Sequence, residues 1–132
     1  MDLEILQIAS DTKNQKSLKN HTHNSRLKNP LCGDEMEISL KIKDEKIIDF
    51  GYQCKSCIYC QAAVSLLSRK SINKPIKKIK EVIGTAISFF EKNNSSFQKE
   101  WIEFNKLFDK KNLSRKECLM LPFKTLLKAL KS

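Results

Sequence analysis

Nowhere in its 132 residues does this chain approach the roughly 20 consecutive apolar residues that cross a bilayer. The opening Met1-Asp2-Leu3-Glu4 has neither the basic nor the apolar stretch of a secretion signal. From these two absences we expect a cytoplasmic protein. No segment repeats, and the aromatic residues do not interleave with the basic ones as a stacking platform for bases requires. Negative charge is in short supply: 25 Lys and Arg face 15 Asp and Glu, giving a net charge of +10. Such a balance would suit an acidic partner, a nucleic acid or a membrane surface. The lysines (Lys41, Lys43, Lys46, Lys70, Lys74, Lys77, Lys78, Lys80, Lys110, Lys111) are scattered, however, so they read as a solvated surface. We therefore expect no membrane and no nucleic-acid partner.

With 40% hydrophobic residues, the chain can bury one core but is too short for two ordinary domains. The expectation is a single domain over 1–132, with a helix and polar loop over 1–28 and the core over 29–132. Leu3, Ile5, Leu6, Ile8 and Ala9 mark an opening amphipathic helix, and Ser10 to Arg26 reads as a polar loop. From Glu35 to Ile42 the alternation is strict, with Met36, Ile38, Leu40 and Ile42 apolar. That is a half-buried strand, and after the polar turn Lys43-Asp44-Glu45-Lys46 a second strand runs from Ile47 to Tyr52, making a hairpin. Helical patterns follow: Gln61 to Arg69, stopped before Pro75; Ile76, Ile79, Val82, Ile83, Ile87 and Phe90 at helical spacing; then Phe97, Trp101, Phe104, Leu107 and Phe108. Asp109 to Ser114 reads as a loop. A last helix carries Phe123, Leu126, Leu127 and Leu130, with Cys118 just before it and Pro122 acceptable only near its first turn. Strands first and helices after predict an α+β fold, a small antiparallel sheet with helices packed on one face.

Five cysteines, Cys32, Cys54, Cys57, Cys60 and Cys118, are an odd number, and in a reducing compartment such sets serve as metal ligands or reactive thiols. In Cys32-Gly33-Asp34, the glycine lets the backbone bend so that a thiolate and a carboxylate can point at one centre, a pair suited to zinc or ferrous iron. Cys54-Lys-Ser-Cys57-Ile-Tyr-Cys60 is a double CxxC where a strand meets a helix, and a helix N-terminus favours the thiolate form. Three corners of a ferredoxin-type cluster would fit this spacing, but that motif needs a nearby fourth cysteine followed by proline, and the next cysteine is Cys118. A thioredoxin-like pair lacks its βαβ setting. Cys118 alone reads as a small buried hydrophobe. Three cysteine-bearing segments together, each at a loop or element end, point to a shared site. His21 and His23 read as free loop histidines, and Trp101, Phe104 and Phe108 as core.

These motifs resemble the NifU/IscU/SufU family of iron-sulfur cluster assembly scaffolds. Pro30-Leu31-Cys32-Gly33-Asp34 is similar to the family's first motif, and the strand hairpin follows as it should. Cys57, before Gln61-Ala62-Ala63-Val64-Ser65, is similar to its second cysteine, and Cys118, within Arg115 to Lys124, to its third. Cys54 and Ser56 stand where the family has a glycine-rich approach, and Cys60 is an additional thiol. Glu117 stands where the IscU branch has a histidine, and the long segment between Cys57 and Cys118 is closer to the SufU branch. The resemblance implies a metal site of Cys32, Asp34, Cys57 and Cys118, a closed tetrahedral set suited to zinc. It implies a scaffold for a transient iron-sulfur cluster held by Cys32, Cys57 and Cys118, with Cys32 and Cys118 as persulfide acceptors. A cysteine desulfurase is the implied sulfur donor and apo iron-sulfur proteins the acceptors; a cluster bridging two chains would make a homodimer. The alternative within the family is a zinc-dependent sulfur shuttle, a sulfurtransferase rather than a carrier. A structural zinc module that binds nucleic acid is the reading from outside it.

Overall fold

The computed structural model describes residues 3–30, 33–92 and 97–131. Three strands form one antiparallel sheet in chain order: β1 (His23–Lys28), β2 (Glu35–Lys43) and β3 (Lys46–Lys55). Their register places Ile38 opposite Tyr52 and Leu40 opposite Phe50. The alternating apolar residues therefore share one face, where Met36, Ile38, Leu40, Ile47, Phe50 and Tyr52 are buried. Helices α1 (Leu3–Ala9), α2 (Ile58–Ser71), α3 (Ile76–Lys92) and α4 (Lys116–Leu130) complete the α+β fold, with α2 and α4 lying against the sheet and α1 and α3 against those two. No helix of the described residues is long and apolar enough to cross a membrane.

The hairpin, α1, α2 and α3 fall where the apolar periods place them. Other readings are corrected. The segment taken as a loop through Arg26 contains β1, whose six residues include a single large apolar side chain, Leu27. Its one buried position is Ser25, whose hydroxyl donates to the Thr125 carbonyl of α4 at 2.6 Å, so a largely polar strand is held to the core by a hydrogen bond as well as by Leu27. His23 accordingly lies in a strand, its Nδ1 2.8 Å from the Thr22 hydroxyl. The aromatic run after Phe97 forms a 3-10 helix over Lys99–Lys106 rather than an α-helix, and Lys110–Arg115, read as a loop, forms another. There Phe89, Phe90, Phe97, Phe104, Phe108 and Phe123 pack with ring centroids between 5.0 and 6.3 Å, mostly tilted or edge to face. Fully burying each such ring is worth about 1.5–3 kcal/mol, enough to override the backbone's preference for a regular α-helix.

Helix α2 is buried on nearly every side, including Ala62, Ala63, Ser65 and Ser68, because α1, β3 and α4 all pack on it. Small side chains permit that approach. Helix α4 starts at Lys116, so Cys118 lies inside its first turn and Pro122 is its seventh residue, beyond the first turn to which the sequence confined it. The polar stretch before β1 crosses the other side of the hairpin. Asn14 accepts from the Tyr52 N–H at 3.1 Å, the Leu18 N–H donates to the Ser39 hydroxyl at 3.1 Å, and a Cβ on Gly51 would stand 2.5 Å from the Lys16 carbonyl oxygen. Only glycine allows that contact.

Candidate metal centre

The sheet end where β2 starts and β3 stops is also where α2 and α4 begin. Asp34 immediately precedes β2. Ahead of it, the Asn29 N–H donates to the Asp34 carbonyl at 2.7 Å and the Gly33 N–H to the Asn29 carbonyl at 2.8 Å, while Gly33 takes φ +76°, a conformation strained for any residue with a Cβ. The short loop is thereby closed and Asp34 aimed across the sheet end. Asn29, buried, was not singled out as a clamp, although Asn29-Pro30 is a turn signal in the sequence. Cys57 is the N-cap of α2, with φ −72° and ψ 169°, and the turn leading into the helix is fixed by the Gln61 side-chain amide donating to the Ser56 carbonyl at 3.0 Å.

These placements bring one carboxylate oxygen of Asp34 and the sulfurs of Cys57 and Cys118 within 4.8 Å of one another, all three residues half-buried. The Cys118 thiol donates to Asp34 Oδ2 at 3.6 Å, across 84 positions of sequence. The donor set fits a metal. With Zn–S near 2.3 Å and Zn–O near 2.1 Å, tetrahedral ligands stand roughly 3.5–3.8 Å apart, so only a small contraction separates this arrangement from a coordinated one. The thiol proton now shared with Asp34 is the one a metal would displace. Cys32, the fourth expected ligand, lies outside the described residues.

The other thiols stand differently. Cys54 sits on the inward face of β3, half-buried, and burial raises its pKa, with the nearby Asp34 charge adding to the effect. Cys60, in the first turn of α2, has no exposed surface, and burial pushes its pKa far up. Neither belongs to the ion-sized group, and neither does the half-buried Glu117. No disulfide joins the four described cysteines.

A three-stranded sheet with helices on one face and a thiol-carboxylate cluster at its end defines a small α+β fold with a candidate metal centre. The chain belongs to the NifU-like N-terminal domain family, whose profile matches residues 2–99. It is 30% identical over 128 residues to the iron-sulfur cluster assembly scaffold protein IscU of Thermotoga maritima, covering 96% of this chain and 89% of that one. Over a shorter stretch of 60 residues it is 32% identical to a scaffold protein IscU of Archaeoglobus fulgidus, 46% of this chain and 39% of the relative. Among solved structures, the N-terminal part of a NifU-like protein from Brucella abortus superposes with a TM-score of 0.90 at 19% identity, covering 98% of this chain and 91% of that one. The SufU protein of Fervidobacterium islandicum AW-1, a proposed assembly scaffold of the SUF system, gives 0.88 at 24% identity, covering 98% and 96%. These two likenesses establish the fold.

Proposed function

We propose that this chain is a scaffold on which an iron-sulfur cluster is assembled, using Cys32, Asp34, Cys57 and Cys118. The observation that carries the reading is the meeting of Asp34, Cys57 and Cys118 within 4.8 Å, from three separate chain segments, at a half-exposed sheet end. Such a site is reachable by a partner yet anchored on rigid elements. A cysteine desulfurase is the sulfur donor in this reading. A thiolate of Cys32 or Cys118 attacks the outer sulfur of the desulfurase persulfide. The desulfurase cysteine leaves as a thiolate and the scaffold thiol carries the persulfide. Cys57 and Asp34 then hold ferrous iron beside that sulfur. An external reductant, a dithiol in the assay below, supplies two electrons per persulfide to free the scaffold thiolate and sulfide, and the cluster built from that sulfide and iron is released to an acceptor protein. Iron and sulfur are cargo here. Zinc at rest on the same four residues would keep the thiols deprotonated between rounds.

The test is anaerobic purification with elemental analysis, then incubation with a cysteine desulfurase, cysteine, ferrous iron and a dithiol reductant while visible absorption is recorded. Iron and sulfide should load together, and Cys57→Ala or Cys118→Ala should abolish loading. Firmly held zinc with persulfide and no cluster would make the protein a sulfur shuttle instead. Absence of zinc, cluster and persulfide alike would end both readings.

A further inference from the structure

Cys57 caps the start of α2 and Cys118 lies in the first turn of α4, both half-buried at the rim of the core. Deep packing, through residues such as Leu66, Leu67, Phe123 and Leu126, sets how the bodies of α2 and α4 lie. Toward the helix starts that packing thins, and Cys57, Ile58, Tyr59 and Cys118 are only partly buried against it. A further contact ties the two starts to each other: the Arg115 guanidinium stands over the Tyr59 ring, 4.8 Å from its centroid, within the range of a cation-π attraction. Tyr59 lies two residues after Cys57 and Arg115 three residues before Cys118. Arg115 is also the joint at which the 3-10 helix Lys110–Arg115 passes into α4, with φ −99° and ψ 18°, outside the helical well. Among the described residues no carboxylate forms an ion pair with it.

We propose that Tyr59 and Arg115 form a clasp between the two helix starts that sets the spacing of Cys57 and Cys118. Both are positioning residues: they act on the thiols through the turns that carry them. The proposal rests on the metal-site reading above, and its test separates the two.

In the full-length chain, zinc affinity is measured by chelator competition for wild type, Arg115→Ala, Tyr59→Leu and Tyr59→Phe. The metal-free spacing is measured separately as the rate at which diamide joins Cys57 to Cys118 in a background carrying Cys32→Ser, Cys54→Ser and Cys60→Ala. Arg115→Ala and Tyr59→Leu should each weaken zinc binding and slow cross-linking by about two- to fivefold. Tyr59→Phe, which keeps the ring face, should restore both, and circular dichroism should be the same for all. Equal behaviour of Tyr59→Leu and Tyr59→Phe, whether both like wild type or both impaired, overturns the clasp. So does a background chain in which no cross-link forms. Wild type that takes up no zinc refutes the resting zinc site alone, because the cross-linking series still decides the clasp.

Discussion

Cys60 provides the sharpest check on how the thiols divide between structure and chemistry. Its side chain has no exposed surface, and burial raises its pKa far above the ordinary 9.0, with the charges of Cys54, Cys57 and Asp34 pushing the same way. In the unfolded chain the thiol ionises near 9; in the folded chain it stays protonated. The folded state therefore binds the extra proton, and stability falls as pH rises past the unfolded value, by up to about 1.4 kcal/mol per unit. At pH 10.5 the loss from this one thiol is about 2 kcal/mol, on a total that for domains of this size is roughly 5–15 kcal/mol. Cys60→Ala removes the titration and sacrifices about 1 kcal/mol of packing at any pH. The variant should thus be about 1 kcal/mol less stable than wild type at pH 7.5 and about 1 kcal/mol more stable at pH 10.5. Urea unfolding of the metal-free, reduced proteins at the two pH values measures this, and the raised pKa values of Cys54 and Tyr52 largely cancel in the difference. An unchanged difference between the two proteins would refute the reasoning. Zinc or cluster loading at neutral pH should be intact in Cys60→Ala, since Cys60 lies outside the group formed by Asp34, Cys57 and Cys118.

Other perturbations test the frame that carries the site. Asp44 and Glu45, the two residues of the hairpin turn, both have positive φ (53° and 62°). Glu45→Gly should therefore raise stability by about 1 kcal/mol in urea unfolding. Gly51→Ala should act in the opposite direction by about 1–3 kcal/mol, because its Cβ would meet the Lys16 carbonyl at 2.5 Å, and a lowered melting temperature would report it. Phe104→Ala, which empties the middle of the ring cluster, should cost about 3–5 kcal/mol and abolish the cooperative thermal transition or shift it far down.

The hairpin was legible because Met36, Ile38, Leu40 and Ile42 alternate without a break, and α3 because its stripe recurs at a helical period. Strand β1 was not. Its one buried residue is Ser25, so the apolar alternation that reveals a strand is replaced by a hydrogen bond to α4 that no local pattern announces. The 3-10 helix over Lys99–Lys106 misled for another reason: Phe97, Trp101, Phe104 and Phe108 satisfy an α-helical period, and their mutual packing, not the period, sets the backbone. Of the candidate site, Asp34 beside its strand could be read directly, whereas Cys57 was distinguished from Cys54 and Cys60 only by its resemblance to the family's second cysteine. Cys118, alone in its segment, was brought in by its resemblance to the family's third cysteine, and its first-turn place in α4 emerged only with the fold. The partnership of Tyr59 with Arg115 had no signal in one dimension.

Asp34, Cys57 and Cys118 come from the head of a strand and the tips of two helices, spread over 84 positions of the chain. The group they form exists only where β2, α2 and α4 are docked, so the complete site is a property of the assembled core. A chain cut short before α4, or one whose core has not closed, would have thiols but no site. In the proposed reading, loading of metal would thus report a finished molecule, and a bound ion would in turn hold the completed state against local opening.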